Sequence, residues 1–356
     1  MKKILALMAI VCLFASCSGG ENGDNLPFLS LSWAWSDLAE PLSTTVRGNG
    51  KYVACCGLNG VEVALLNEAD GVPVWHIEQD EKPTNETNFP PVFAGSRLIV
   101  YCSDSLKAFE LVSGYEVWKF QTEQTDLGPA SFFEPSYDYN QIYAGTASGF
   151  LYCINAGSGI GNWKQKSRYE GFGETVNMYD KVLVRTLGSR IEAYNKSTGK
   201  LVWKNERWVL PDGRFTIDDK NLYLAMPGPF VSAIRHNSGE LVWTSGKLST
   251  SKAPLKFHPL VCQGKVVVLE GKKATLFDSA TGKEETSFDL PEEPETFTTE
   301  GSSLYLTKGK MLFCVDCTGK VKGTFEEVQG DSLLGVSFSQ GHVITWSPRT
   351  IYGLRK

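Results

Sequence analysis

Apolar and polar residues alternate with a period of two along most of this chain, in short runs bounded by Gly, Asn, Asp and Ser. That alternation predicts half-buried β-strands, since a helix would return its apolar positions every three or four residues. The runs come in sets of four. One set spans 91–94, 97–102, 106–111 and 115–121, and its second member recurs at 51–55, 141–146, 181–186, 221–226, 265–270, 303–307 and 342–346. The third member also occurs eight times, ending with 351–356 at the C-terminus.

Between third and fourth strands the chain repeats one turn. Glycine is followed four positions later by tryptophan at Gly71 and Trp75, Gly114 and Trp118, Gly159 and Trp163, Gly199 and Trp203, and Gly239 and Trp243, about every 40 to 45 residues. Glycine permits a left-handed turn there, and the indole is expected to pack between neighbouring units. Two later repeats depart from the pattern. Gly282 is followed by Thr286 with Phe288 nearby, and Gly319 by Gly323 with Phe325 nearby, so these units are expected to pack less tightly.

Four-stranded units repeating at this length predict an all-β, eight-bladed β-propeller of antiparallel blades, which grows by adding blades instead of thickening one core. The eighth set has no chain left for its outer strand. A run at 29–36, containing Trp33 and Trp35, has no partner at the other end. Pairing the two closes the ring and leaves no open edge between first and last blades.

Composition narrows the function. Aromatic residues make up 12% of the chain and there are 35 glycines, as strands and tight turns require. A net charge of −5 without a basic cluster gives no reason to expect nucleic acid as partner. At the N-terminus, Lys2 and Lys3 precede an apolar run at 4–14 and then Ala15, Ser16 and Cys17. The run is too short to span a bilayer and reads as an export signal. It resembles the bacterial lipoprotein signal, which implies that Cys17 becomes the acylated first residue. Residues 1–16 are therefore expected to be a signal peptide, 17–28 a Gly-rich acidic tether and 29–356 a single propeller, held to the membrane through its lipid alone.

The segment at 193–203, Ala-Tyr-Asn-Lys-Ser-Thr-Gly-Lys-Leu-Val-Trp, resembles the repeat of quinoprotein-type (PQQ-like) propellers, which comprise PQQ-dependent dehydrogenases and non-catalytic relatives. In size, lipid anchor and N-terminal closure the chain is similar to the propeller lipoproteins of the β-barrel assembly machinery. That likeness implies a monomeric outer-membrane lipoprotein, facing periplasm or cell surface, that binds an envelope protein as a scaffold and carries no cofactor.

One segment resembles the enzymes instead. Val53-Ala54-Cys55-Cys56-Gly57-Leu58-Asn59-Gly60 is similar to the place where adjacent cysteines form a disulfide ring above PQQ and its calcium. Such a ring is strained, because adjacent Cα atoms lie about 3.8 Å apart and disulfides usually span about 4.4 to 6.8 Å. The plainer reading of Cys55 and Cys56 is two small residues ending a strand, one facing each side. Moreover, the quinoprotein alcohol dehydrogenases are much longer, and no Asp/Asn/Glu trio here sits in a matching motif, so the metal and base of quinone chemistry lack a place.

Other candidate chemistry is sparse. Cys314 and Cys317 have C-x-x-C spacing but no second pair and no nearby histidine. Cys102, Cys153, Cys262 and the remaining cysteines sit on or beside apolar strands as small core residues, and their spacing suggests no disulfide framework. His76, His236, His258 and His342 are dispersed. Binding on a propeller belongs to the loops entering the innermost strands. Within those loops Arg168, Tyr169, Phe172, Arg207, Trp208, Arg214 and His258 form the candidate partner-binding set, because aromatic and arginine side chains dominate binding hot spots. Residues 85–89, Phe132, Phe133, Glu174 and 252–257 share these loops, and the acidic stretch 289–295 is expected to face the basic loop containing Lys247, Lys252 and Lys256. Two alternatives remain: a small PQQ-binding dehydrogenase or sensor, and a glycan-binding surface lipoprotein using Trp208, Tyr169 and Phe172.

Overall fold

The computed structural model describes residues 29–39, 41–57, 62–79, 89–102, 105–122, 124–125, 128–129, 132–167, 171–186, 190–205, 215–226, 230–246, 248 and 255–356. They form eight four-stranded antiparallel sheets. The first strands, Leu42–Gly48, Val92–Ala94, Ser136–Asp138, Phe172–Met178, Phe215–Ile217, Leu260–Cys262, Thr296–Glu300 and Gly335–Phe338, define blades 1 to 8. First strands of neighbouring blades touch, as in blades 6 and 7, 7 and 8, and 8 and 1, which gathers them around one axis. A small hairpin, Gln124–Thr125 with Gly128–Pro129, lies between blades 2 and 3 in the chain and does not follow from the alternation.

Blade 8 combines Gly335–Phe338, His342–Trp346 and Ile351–Arg355 with the N-terminal strand Ser30–Trp35. Ser30 pairs with Arg355 and Trp35 with Ile351, so the chain ends close the ring as their unpaired runs predict. A shared irregularity shows that this strand is an ordinary outer strand. In blade 4 the ladder slips between Ala193 and Tyr194, opposite Trp203 and Leu201, and in blade 8 it slips between Leu31 and Trp33. The slip is a bulge, which bends the outer strand and increases its twist.

The tryptophans bolt each blade to the next. A Cβ on Gly199 would lie 2.7 Å from the ring of Trp163, and one on Gly71 would lie 2.5 Å from Trp33. Both glycines are also left-handed, at φ 68° and 69°, so a side chain is excluded by backbone and by neighbour alike. Each indole Nε1 donates to the carbonyl three residues before the glycine beneath it: Trp33 to Glu68 at 2.8 Å, Trp75 to Leu111 at 3.0 Å and Trp243 to Ser279 at 2.9 Å. The core accordingly lies between blades, as where Trp33, Trp35, Val53 and Leu66 meet Ile344 at the joint of blades 8 and 1.

The joint between blades 6 and 7 is built differently. Phe288 stands where the indole would, 2.7 Å from a Cβ on Gly319, and offers no N–H. A disulfide, Cys262–Cys317, crosses this same joint. That bond corrects the expectation that these two cysteines are small core residues outside any disulfide, because spacing along the chain is blind to pairs supplied by neighbouring blades. Cys55, Cys56, Cys153 and Cys314 are free and buried. At the other repeat without tryptophan, Phe325 is buried against Tyr352, with ring centroids 5.2 Å apart. A phenylalanine thus occupies each of these two joints.

Candidate functional site

In an antiparallel meander the turns joining first to second and third to fourth strands lie at one end of each blade. All other connections gather at the opposite end. The propeller therefore has a turn face and a loop face, and the sequence candidates belong to the loop face.

Among the described residues, the loop face is best defined where the chain enters blades 2 and 3. Phe89 lies 5.7 Å from the ring of Tyr101 and 6.4 Å from that of Phe133. The Tyr101 hydroxyl donates to the Phe133 carbonyl at 3.1 Å, which fixes the segment against blade 2. Phe132 turns inward, buried against Phe120 and Tyr152. Next in the chain, Glu134 accepts from Arg47 Nη2 at 2.6 Å. That bond links the first strand of blade 1 to the segment that enters blade 3, two blades on. Ser136 N donates to Thr175 Oγ1, and Thr175 Oγ1 to the Tyr143 carbonyl, both at 2.9 Å, joining blades 3 and 4. These bonds make the rim of blades 1 to 4 a fixed frame.

Phe172 does not belong to an exposed patch. It opens the first strand of blade 4, is fully buried and packs edge-on against Tyr194 at 5.8 Å. Its position in the alternation points it into the joint with blade 3, which removes it from the partner-binding candidates. His258 is half-buried just before the first strand of blade 6. Beside it, Lys256 Nζ donates to the Pro294 carbonyl at 2.7 Å and Phe257 packs on Phe297. Lys256 thus meets the acidic stretch as expected, while Lys247 and Lys252 lie outside the described residues; Glu292 also pairs with Lys272 at 3.3 Å and Glu295 with Lys308 at 2.9 Å. Arg168, Tyr169, Arg207, Trp208 and Arg214, like Cys17, lie outside the described residues, as do 85–88 and the side chain of Glu174. Of the seven partner candidates only Phe172 and His258 are described, one opening blade 4 and the other just before blade 6.

Cys55 and Cys56 share the strand Tyr52–Gly57 but face different joints. Cys55 packs with Trp33 and Ile344, and Cys56 with Trp75 and Leu98. Burial pushes the Cys55 thiol up to about 12, only partly countered by its contact with the Ala64 carbonyl. Among the described residues no group of three His, Cys, Asp or Glu is placed to hold a metal ion. A quinone with calcium under a ring of adjacent cysteines does not fit this arrangement.

Sequence reasoning missed one polar centre altogether. Glu68, in the turn before Gly71, accepts from His342 Nδ1 at 2.9 Å and from Gly341 N at 3.2 Å. No local motif marks either residue, because they meet only when the ring closes.

Eight bladed sheets, tryptophan–glycine joints and closure by the N-terminal strand define the class of protein: a PQQ-like repeat β-propeller. Residues 31–176 and 188–344 match the family described as outer membrane protein assembly factor BamB, and the chain belongs to that family. Among solved structures, BamB from Moraxella catarrhalis is 15% identical with a TM-score of 0.70, the match covering 92% of this chain and 100% of that one. The computationally designed Ika8 protein is 10% identical with a TM-score of 0.72, covering 92% and 100%. A quinohemoprotein alcohol dehydrogenase, ADHIIG from Pseudomonas putida HK5, is 11% identical with a TM-score of 0.68, covering 92% of this chain and 76% of that one. At such identities the likeness is one of fold, shared by an assembly factor, a designed protein and an enzyme. No curated protein sequence matches the chain.

Proposed function

We propose that this protein is a non-catalytic, lipid-anchored propeller of the bacterial envelope that holds a protein partner on its loop face during outer-membrane protein assembly. The observation that carries this reading is the family match along both halves of the ring. A closed ring with short connections supplies a rigid frame, and a few loops on it present the aromatic and arginine side chains that anchor partners. Arg168, Tyr169, Arg207, Trp208 and Arg214 take that role, with His258 at the rim. Residues 1–16 direct export, Cys17 carries the lipid and 17–28 tether a monomeric ring at the outer membrane.

A photo-crosslinking residue placed at Trp208 or Tyr169 in living cells tests this, with Val112 on the turn face as control, since Val112 is 77% exposed. Crosslinks to an envelope protein are expected from the loop positions and not from Val112. Absence of any loop-face product, together with an unaltered outer-membrane protein profile in Cys17→Ser cells, overturns the reading.

A further inference from the structure

The turn face carries a cleft that the partner-binding reading does not use. It has a volume of about 370 Å³ and lies between blades 3 and 4, against the side of Trp163. Trp33, Trp75, Trp118, Trp203 and Trp243 are all buried in their joints, whereas Trp163 is only half-buried, because the cleft opens beside it.

Two tyrosines flank the opening. Tyr139 and Tyr179 hold the first position of the two-residue turns between first and second strands, at φ 51° and 39°. The same position in blades 2 and 7 is glycine, Gly95 at 62° and Gly301 at 59°. Left-handed backbone disfavours a tyrosine, and burial does not offset the strain here, since Tyr139 is 90% and Tyr179 68% exposed. Blade 6 has Gln263 there at φ 50°, so the turn tolerates a side chain, but nothing in the turn itself calls for a large aromatic ring. Tyr179 is further set in place by packing on His236 of blade 5, with centroids 5.7 Å apart.

Between the rings lie groups that hydrogen-bond without net charge. Lys196 pairs with Asp138 across the cleft, and Asp180, also in the lining, is paired at 2.7 Å with Lys181, which lies outside it. Gln141 and Asn162 add two planar amides, and these are bonded to one another. Internally paired charges select neither an anion nor a cation. Aromatic faces beside amides and carboxylates match a ligand whose C–H face is apolar and whose rim is all hydroxyl, and the volume falls within the range of about 300 to 1,000 Å³ common for small-ligand sites.

We infer that this cleft binds a neutral carbohydrate, one or two sugar rings packed on Tyr139, Trp163 and Tyr179. It lies on the opposite end of the blades from the loop face, so a sugar and a protein partner can be held at once, and the inference stands apart from the scaffold reading.

The test is retention of the mature chain on an array of neutral and acidic oligosaccharides, with solution titration of whatever it retains. The informative variant is Tyr139→Gly/Tyr179→Gly. Glycine suits both backbone positions, so the variant is expected to melt no lower than the parent protein, yet to bind at least tenfold more weakly. No retention of neutral sugars, stronger retention of acidic ones, or binding unchanged in the double variant would each overturn the inference.

Discussion

Glu68 of blade 1 and His342 of blade 8 meet at 2.9 Å across the joint that the two chain ends build. Both are nearly excluded from solvent, and the backbone carbonyl of Glu68 also receives the indole N–H of Trp33 at 2.8 Å. One residue therefore grips the second and fourth strands of blade 8 together. The other ring nitrogen, His342 Nε2, is buried without a hydrogen-bond partner, so this histidine depends on Glu68. Replacing Glu68 by Gln keeps the shape and removes the charge, and is expected to cost about 1 to 3 kcal/mol in denaturant unfolding. An unchanged midpoint would show that the latch contributes nothing.

The same latch gives a sign for acid. Burial raises the Glu68 pKa, but hydrogen bonds from His342, Gly341 and Ser339 outweigh it and hold the carboxyl below its ordinary 4.5. A carboxyl depressed in the folded state adds stability that is complete above its unfolded pKa and disappears as pH falls through the folded one. The melting difference between the parent protein and Glu68→Gln should therefore be full at pH 7 and shrink below pH 4. A difference constant down to pH 3 contradicts this assignment.

Closure also rests on Gly353, which pairs with Trp33. A Cβ there would lie 2.2 Å from the indole, whereas one on Gly246 meets nothing within 4 Å. Gly353→Ala is expected to destabilise by about 1 to 3 kcal/mol through overpacking, and Gly246→Ala to be close to neutral. Combining Gly353→Ala with Trp33→Ala should cost less than the sum of the two, since the clash vanishes with the ring. Additive losses would place the strain elsewhere.

The fold was legible because its signals are local. Period-two alternation, the Gly-to-Trp spacing and the two unmatched end strands each lie within one stretch of chain, and Ser30–Trp35 takes the position they require. What escaped depends on how blades face each other. Phe172 reads as part of an aromatic loop, yet its place in the first strand of blade 4 turns it into the core. Glu68 and His342 are 274 residues apart in sequence and acquire meaning only at closure. Tyr139 and Tyr179 did carry a signal, a tyrosine in a turn position that glycine fills elsewhere, but the left-handed φ that makes it informative is a property of the folded turn.

Cys262–Cys317 stands at the joint where Phe288 replaces the tryptophan bolt, and its two cysteines are 55 residues apart. A covalent link thus accompanies the missing indole hydrogen bond. Reduction, or Cys262→Ser, is expected to cost about 2 to 4 kcal/mol, against almost nothing for reductant acting on the Cys262→Ser variant. A reductant-insensitive melting temperature in the parent protein would mean that the bond does not support the joint.

Cys55 supplies the sharpest distinction from a quinone enzyme. Its thiol is held at about 12 by burial, where an ordinary thiol has 9.0. At pH 8 the thiol is therefore almost wholly protonated and far less nucleophilic than an exposed cysteine. Cys56 faces the neighbouring joint, so the two sulfurs diverge from adjacent backbone positions. Native protein treated with iodoacetamide at pH 8 should therefore remain unmodified at both residues, and each should alkylate at the rate of global unfolding once denaturant is added. Peptide mapping that instead finds Cys55 joined to Cys56 in the native protein would require the strand Tyr52–Gly57 to turn both sulfurs to one side. That result would reopen the quinone site the present geometry does not fit.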